Sequence, residues 1–451
     1  MNSNSNPTNY LDELLEKCAK DDSEIYTLAT NYMYFAASSN IGLIDQYKDQ
    51  VLEVLDIWKE SLLIASPLIH MVNGYSYFFL TQPEKGIKEF EMMLSLCGET
   101  DLFRRIKGLG YTGSAVCNRS LGKFDRTMED CLSAISQITP SDPPELWQGY
   151  AYRTLGEIHT YINELDEAIH YYLKAKVVMD TFSGSMSISA HFRVLDALGN
   201  CYREKGDTNK AENYLKAAYS IDGISKAERA RVLCDFGILN IGNPQKALEY
   251  FEESCEIRKQ ANLEDAYTTS LIYKGECLIE LGKFEEAKSV LFEAKALVDQ
   301  YKVPSKQHHL YRQLAILHES MNDYEKANSF FHIYDKLKTQ IGEEQTRNIF
   351  HIKNKQIADQ HAEIQKKHSE LKTTLDELAK IKVSRRALVY SIITLVVLVV
   401  LTEVFLEPII DNYSNNEYLS IASKVFIAFL LKPIDSFYER VLIKRAYKQQ
   451  I

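Results

Sequence analysis

The chain has 451 residues, of which 45% are hydrophobic, so it is long enough for two or three domains with a large core. Its formal net charge of −10 argues against a nucleic-acid partner, because such a partner normally needs a basic face or stripe. The eight cysteines show neither C-x-x-C spacing nor a disulfide framework, so we expect reduced thiols within a core.

The amino-terminal segment, residues 1–66, is predicted to form atypical capping helices. It begins with MNSNSNPTNYLDELLEKCAKDD, which is polar and acidic and contains no apolar signal sequence. Residues 10–61 then show apolar helical periodicity without a repeat signature. One or two helical pairs that cover the end of a larger helical array account for this pattern.

The stretch KGLGYTGSAV carries Gly108, Gly110 and Gly113 in the spacing G-x-G-x-x-G, which is also the letter pattern of a dinucleotide-binding loop. Such a loop needs a buried strand before it and a helix that opens after it. The preceding DLFRRIK contains three basic residues and does not read as a buried strand. We therefore predict no cofactor here and place the glycines at the start of a helix that is either frayed or closely packed.

An internal repeat runs through residues 67–341. Four segments align in fixed register, each with a turn residue followed by alanine or another small residue: LGKFDRTMEDCLSAI (121–135), INELDEAIHYYLKAK (162–176), EKGDTNKAENYLKAA (204–218) and LGKFEEAKSVLFEAK (281–295). Small residues at such regular positions let two helices touch closely, and each pair leaves an apolar face for the next pair to cover.

This repeat resembles the tetratricopeptide repeat. In the copy that starts at Phe192, the positions 7, 8, 11, 15, 20 and 27 of the family pattern are filled by Leu198, Gly199, Tyr202, Gly206, Ala211 and Ala218. A second clear copy starts at Gly149, and further copies start near Pro67, Gly108, Glu228, Thr268 and His308. The resemblance implies an all-α, tetratricopeptide-like helical solenoid of about seven repeats, with a concave face formed mainly by the first helix of each pair.

The resemblance also nominates partner-binding residues, because positions 2, 5, 9, 12 and 13 of the family's repeats usually line the concave face. The residues at these positions are Arg119, Tyr150, Arg153, Glu157, Arg193, Asn200, Arg203 and Arg229. Each of them taken alone could be an ordinary solvated surface residue. Five arginines together in an acidic protein indicate a positive groove suited to acidic side chains or to a terminal carboxylate of a protein or peptide ligand.

Residues 342–386 are predicted to form one long charged helix. Phe350, Ile357, Ile364, Leu371 and Leu378 recur every seven residues, but the companion heptad positions are polar. Such a half seam supports only weak coiled-coil pairing. Two alternatives therefore stay open. The helix could be a stalk that pairs with a second copy in a homo-oligomer, or a single helix folded onto the solenoid.

The carboxyl-terminal region is predicted to form a transmembrane helical hairpin. Residues 387–406 are apolar over a length that spans a bilayer, and residues 418–438 form a second transmembrane or interfacial helix. The loop 407–417 carries only acidic charges, whereas basic residues precede the first span and fill the tail 439–451. The positive-inside rule then places the repeats and the carboxyl terminus in the cytosol, with the loop on the other side. Glu403 and Lys424 would be polar residues within the membrane.

The functional expectation is a membrane-anchored adaptor or sensor, which resembles bacterial tetratricopeptide sensor proteins with a membrane segment after the repeats. We find no catalytic motif and no metal-ligand spacing, so we expect neither an enzyme nor a metal protein. The expected location is a bacterial inner membrane, with the lipid bilayer as a partner. The alternative is a membrane effector whose hairpins oligomerise and perturb the bilayer when the repeats are engaged.

Overall fold

The computed structural model describes residues 22–401 apart from 39, 40, 60, 140–143, 183, 184, 302 and 303, and in addition residues 404, 433, 436–438, 440 and 441. The described residues contain no β-strand. The chain divides into two compact units, Met1–Lys353 and Asn354–Ile451.

Sixteen α-helices are described, and most of them are short enough to belong to helix–turn–helix pairs. They are α1 (Asp22–Ser38), α2 (Ile41–Trp58), α3 (Ala65–Phe79), α4 (Pro83–Leu96), α5 (Asp101–Ser120), α6 (Phe124–Ile135), α7 (Leu146–Tyr161), α8 (Leu165–Met179), α9 (Ser185–Glu204), α10 (Thr208–Tyr219), α11 (Lys226–Leu239), α12 (Pro244–Gln260), α13 (Glu264–Glu280), α14 (Phe284–Tyr301), α15 (Pro304–Ser320) and α16 (Tyr324–Leu401).

From α3 onward, seven helix pairs stack in chain order. Each odd-numbered helix from α3 to α13 packs against the helix that follows it, and each pair contacts the next pair along the chain. The buried apolar side chains form successive core clusters along the stack, which is the pattern of a solenoid whose units cover one another. The predicted fold class, an all-α helical solenoid, is confirmed.

The turns within the pairs explain why the sequence carries Gly or Asn at position 15 of most copies. Gly206 and Asn163 adopt φ angles of +81° and +60°, in the left-handed region that disfavours most side chains. The same conformation occurs at the equivalent turns, at Thr81, Gly122, Gly282 and Asn322. A left-handed residue reverses the chain tightly enough for the second helix to return along the first.

The fifth pair departs from the predicted register. A Cβ atom at Gly156 would lie 2.6 Å from Tyr172, and one at Gly199 would lie 2.8 Å from Leu215, so both positions need a glycine for close helix contact. In the fifth pair the corresponding close approach is made by Gly237, whose Cβ atom would lie 2.5 Å from Phe251. The start at Glu228 is therefore two residues out of register for α11, because Gly237 stands two residues closer along the chain to its contact Phe251 than Gly199 does to Leu215.

The amino-terminal helix α1 reaches farther along the stack than a simple cap would. It packs against α2 and α3 and also contacts α9, in the fourth pair. Its Tyr26 hydroxyl donates a hydrogen bond to Glu145, which also accepts one from Arg105. The hydroxyl groups of Tyr32 and Ser76 lie 2.7 Å apart and are buried. Helix α1 is thus fixed against the first helices of several pairs.

Helix α16 begins as the second helix of the last pair and continues for 78 residues without a break. The predicted boundary between a solenoid ending at residue 341 and a separate helix from 342 is thus wrong. Gly342 does not interrupt the helix, and a Cβ atom there would meet nothing within 4 Å.

Part of α16 packs onto the third helix pair within the first unit. Ile352 is 1% exposed and lies in a cluster with Leu155 and Ile158 of α7. Asn348 donates a hydrogen bond to the Tyr161 hydroxyl at 3.0 Å, and Lys353 forms an ion pair with Glu164. The segment up to residue 353 therefore follows the alternative in which the helix folds onto the solenoid.

The heptad residues of the predicted coiled coil lie on a different face. Phe350, Ile357, Ile364 and Leu371 are all more than half exposed. Pairing of this seam with a second copy stays a prediction.

In the second unit, the end of α16 carries exposed apolar side chains, including Leu388, Ile393 and Val397. Tyr438 contacts this helix: its hydroxyl lies 2.9 Å from that of Thr394, and its ring lies 5.8 Å from that of Tyr390. Within the described residues, no helix combines the length and the apolar character that a membrane crossing requires.

The predicted membrane hairpin is therefore not seen. Residues 387–406 are described only as far as Leu401 and again at Val404. The loop 407–417, most of the second predicted span 418–438 and most of the tail 439–451 lie outside the described residues, as do Glu403 and Lys424.

Candidate ligand-binding site

A cavity of about 610 Å³ lies in the first unit, on the face formed by the first helices of the pairs. Its walls come from α3, α5, α7, α9 and α11, and Met33 of α1 contributes a further side chain. Because these helices belong to five successive pairs, the stacking of the repeats creates the cavity. No single pair could form it.

Four of the eight residues nominated from the repeat register line this cavity. Arg119 comes from α5, Tyr150 and Arg153 from α7, and Arg193 from α9. Each of them lies on the same face of the first helix of its pair. The regular stacking of the pairs therefore brings them together.

The nominated Glu157 holds two of these arginines. Its two carboxylate oxygens accept one hydrogen bond each, from Nη1 of Arg119 and from Nη1 of Arg153. Arg153 is the more deeply buried arginine, with a side chain only 5% exposed, and its guanidinium lies 5.5 Å from the centre of the Tyr150 ring. One carboxylate thus neutralises two guanidinium groups.

The cavity remains electropositive because the third arginine has no such partner. Arg193 makes no hydrogen bond or ion pair with any described residue. Burial lowers the pKa of Arg153 to about 10, and the charges of Arg119 and Arg193 lower it further in the same direction. Burial and then Arg193 also lower the pKa of Arg119. The neighbouring positive charges thus act on the pKa values of both arginines in the same direction as burial.

The cavity is also lined by Glu228, in the first turn of α11. Its side chain forms a capping box with Ser225, accepting a hydrogen bond from the Ser225 amide at 2.9 Å. Burial by itself would raise the pKa of Glu228, but hydrogen bonds from Ser189 and Ser225 and the charge of Arg193 lower it. Glu228 is therefore an anion at neutral pH. With Glu157, it leaves the three cavity arginines with one excess positive charge.

The rest of the cavity wall is aromatic and was not nominated from the sequence. Tyr75, Phe78 and Phe79 of α3 face the cavity, together with Trp147 at the start of α7. The ring of Trp147 lies so close to α5 that a Cβ atom at Gly108 would be 2.4 Å from it. Gly108 and Gly113 of α5 therefore serve helix packing, since a Cβ atom at Gly113 would likewise lie 2.3 Å from Phe90.

Two further nominated residues form a separate polar cluster on α9. Arg203 donates from Nε and Nη2 to the side-chain oxygen of Asn200, at 3.4 and 3.3 Å. Asn200 in turn donates to the backbone oxygen of Asp196 at 3.2 Å. Neither Asn200 nor Arg203 lines the described cavity.

Arg229 is not on the cavity face. Its guanidinium lies 5.1 Å from the centre of the Tyr219 ring, at the end of α10. The two-residue shift of register in α11 explains the error, because Arg231 takes the place that Arg229 was given. Arg231 forms a 2.8 Å ion pair with the fully buried Asp196.

A buried carboxyl group lies next to this ion pair. Burial raises the pKa of Asp235 well above its usual value, and the neighbouring Asp196 raises it further. Asp235 therefore keeps its proton to a higher pH than an ordinary aspartic acid does. Among the described residues, no group of three or more His, Cys, Asp or Glu side chains is placed to hold a metal ion.

A family model for the tetratricopeptide repeat matches residues 191–260, which run from α9 to the end of α12. No curated protein sequence matches the chain significantly.

Solved structures resemble the chain at low sequence identity. The apo form of RapI is 14% identical, with a TM-score of 0.50 over 61% of this chain and 99% of that protein. A signal-transduction ATPase with a tetratricopeptide repeat sensor from Pyrococcus horikoshii is 14% identical, with a TM-score of 0.52 over 76% of this chain and 54% of that protein. A Rap protein complexed with competence and sporulation factor is 12% identical, with a TM-score of 0.45 over 74% of this chain and 99% of that protein.

At these identities the first two structures show a shared fold and nothing more. The repeat match and the shared fold together support a tetratricopeptide-repeat protein.

Proposed function

We propose that the protein is an interaction adaptor or sensor that binds a protein or peptide partner in the cavity formed by the first helices. The observation that carries this proposal is the convergence of Arg119, Arg153 and Arg193 with an aromatic wall in one cavity of about 610 Å³. Cavities of this kind, largely apolar with a few convergent polar groups, are typical ligand sites. No catalytic step is part of the proposal.

A comparison of captured partners tests this function. The full chain and its Arg193→Glu variant would be used as baits under identical conditions, with Arg126→Glu as the matched control. Arg126 is two-thirds exposed and pairs with Glu129, one turn away in α6. We expect a partner that is retained by the wild type and the control and is reduced at least tenfold by Arg193→Glu. An identical set of partners for all three baits would contradict the proposal.

Membrane anchoring is a separate part of the proposal, and the sequence supports it. The apolar run 387–406 is preceded by basic residues, and in the second unit the side chains of Leu388, Ile393 and Val397 are about half exposed. A large exposed apolar surface marks a membrane or protein contact. The contact of Tyr438 with Tyr390 and Thr394 fits a hairpin whose two ends lie side by side.

Flotation with liposomes tests the anchoring. The full chain should float with the vesicles, whereas a chain ending at residue 386 should stay in the dense fraction. Equal behaviour of the two chains would contradict anchoring by this segment. Release of a trapped dye from the same vesicles would favour the effector alternative over a simple anchor.

A further inference from the structure

Two arginines of the cavity have guanidinium groups that a ligand can reach. Arg193 is exposed and makes no hydrogen bond or ion pair with any described residue. Arg119 gives only its Nη1 to Glu157, so its Nε and Nη2 have no partner in the described part of the chain, and its side chain is 28% exposed. The two arginines are close enough for the charge of Arg193 to lower the pKa of Arg119. An anion that enters the cavity therefore meets both.

The charge balance of the cavity specifies how much negative charge this anion carries. Glu157 and Glu228 offset two of the three arginines, which leaves one excess positive charge. A singly charged anion balances it, whereas a phosphate monoester carries about −1.5 to −2 at neutral pH and would leave the cavity negative. Carboxylates and phosphodiesters each carry one charge, and each presents two oxygens that match the planar fork of a guanidinium.

The aromatic wall specifies what is attached to the anionic group. Phe78 and Phe79 of α3 line the cavity, are only partly buried and lie edge to face, with their ring centres 5.2 Å apart. Such rings offer an aromatic ligand both apolar area and a preferred packing geometry. No single unmodified side chain of a partner carries an anionic and an aromatic group together. The two features side by side therefore indicate a small molecule that carries both.

Helix α1 limits the size of what can enter. It packs against α3 and also contacts α9, which are the first helices of the first and fourth pairs. Its Tyr32 is joined to Ser76 of α3 at 2.7 Å, and its Met33 lines the cavity. An extended chain that followed the first helices from α3 to α9 would have to displace α1. The remaining volume of about 610 Å³ is in the range of sites that enclose a small molecule.

We propose that the cavity binds a small aromatic molecule with one negative charge, whose anionic group lies on Arg193 and Arg119 and whose ring lies against Phe78 and Phe79. This inference goes beyond the proposed function, because the ligand is a free molecule and not part of a protein or peptide partner.

Isothermal titration calorimetry of the full chain tests this proposal with probes of similar size. The two monoanions are 4-biphenylacetate, a carboxylate, and diphenyl phosphate, a phosphodiester. The amide 4-biphenylacetamide keeps the rings without the charge, and acetate keeps the charge without the rings. Biphenyl-4-yl phosphate keeps the rings and adds a second charge.

We expect at least one of the two monoanions to bind saturably, and the tighter of them identifies the anionic group. The amide, acetate and the doubly charged phosphate should each bind at least about tenfold more weakly, because each lacks one matched feature. Arg193→Gln should weaken binding of the monoanion at least about tenfold, whereas Arg126→Gln should leave it unchanged. Phe79→Ala should weaken it about fivefold, and Phe292→Ala, on the exposed surface of α14, should not.

The thermal unfolding temperature separates a binding defect from a folding defect. Since Arg193 makes no pair within the described residues, Arg193→Gln should unfold at the same temperature as the wild type.

The inference is overturned if neither monoanion binds at millimolar concentration, or if the amide or the doubly charged phosphate binds as tightly as the better monoanion. Unchanged binding in Arg193→Gln would also overturn it. Partner capture is a separate measurement. If the probes fail but Arg193→Glu still loses its captured partner, the small-molecule site falls and the proposed function stands. If the probes bind as expected but all baits capture the same partners, the proposed function falls and the small-molecule site stands.

Discussion

Arg153 and Glu157 form an ion pair one helical turn apart in α7, and Arg153 of this pair lines the cavity. The Arg153 side chain is 5% exposed, whereas that of Glu157 is 31% exposed. Glu157 also holds Arg119 from the neighbouring helix pair. One carboxylate therefore joins two repeats and at the same time offsets part of the positive charge that a ligand would meet.

Replacing this carboxylate should change stability and binding in opposite directions. Glu157→Gln leaves Arg119 and Arg153 without their anion, so we expect the free energy of unfolding to fall by about 2 kcal/mol, less than for a fully buried pair. The same change removes a negative charge that competes with an anionic partner, so the variant should retain more of the partner that the wild type captures. Urea unfolding and capture with the variant as bait measure the two effects. Weaker binding in a stably folded variant would contradict the assigned charge balance.

The glycines of α5 allow a second prediction with an internal control. Gly108→Ala places a methyl group 2.4 Å from the buried Trp147 ring, so we expect a loss of roughly 2 kcal/mol despite the better helix propensity of alanine. Gly110→Ala meets only the flexible ends of Leu94 and Met93, at 3.1 and 3.2 Å, and should be neutral or stabilising. Thermal unfolding of the two variants shows whether Gly108→Ala is less stable than Gly110→Ala. Equal unfolding temperatures would show that the Trp147 contact is not tight.

The docking of α16 on the third helix pair gives a third prediction. Ile352→Ala removes a side chain that is 1% exposed, and we expect it to cost about 2 kcal/mol. Ile357→Ala, in the same helix but 53% exposed, should change stability by less than about 0.5 kcal/mol. Urea unfolding and limited proteolysis near residue 350 measure the difference. Equal stability of the two variants would mean that the helix does not dock in solution.

The buried acid Asp235 predicts a dependence of stability on pH. Because its pKa is raised in the folded chain, folding takes up a proton between the unfolded and the folded pKa values. Stability contributed by the neutral acid is complete below about pH 4 and declines as the pH rises toward the folded pKa, by at most about 1.4 kcal/mol per pH unit. Asp235→Asn removes this decline.

Urea unfolding at several pH values between 4.5 and 8 tests whether stability falls as the pH rises. The stability of Asp235→Asn relative to wild type should increase with pH. Asp222→Asn, at an exposed position, serves as the control, and its free energy of unfolding should match that of the wild type at every pH. If the free energies of unfolding of Asp235→Asn and the wild type differ by the same amount at every pH, the raised pKa of Asp235 is contradicted.

Much of the fold could be predicted because its determinants are local. Single letters at fixed spacing reveal the left-handed turns, as at Gly206 and Asn163. They also reveal the small residues at helix contacts, as at Gly199. The fifth pair was misread because Gly242 occupies the expected turn position while Gly237, two residues out of register, makes the helix contact. The spacing between the two contact residues is a property of the packed pair, and neither glycine alone reveals it.

The candidate site was only half predictable. Arg119, Arg153 and Arg193 follow from their positions in the repeat, since one face of each first helix is shared along the stack. The aromatic wall depends on how α3 lies beside α7, four helices later, and a single apolar residue in a helix does not reveal which neighbour it faces. One signal was available, because Gly108 and Gly113 indicated that large groups approach α5 closely.

Site-specific photo-crosslinking tests the central claim, that a partner binds in the cavity of the first helices. Benzoylphenylalanine would replace Phe79, in the cavity wall, or Phe292, which is 43% exposed on α14 and lies outside the cavity. Both replacements exchange one aromatic residue for another. The account predicts a partner crosslinked from position 79 that is lost when Arg193→Gln is added, and none from position 292. A partner crosslinked from position 292 alone, or one at position 79 that Arg193→Gln leaves unchanged, would contradict it.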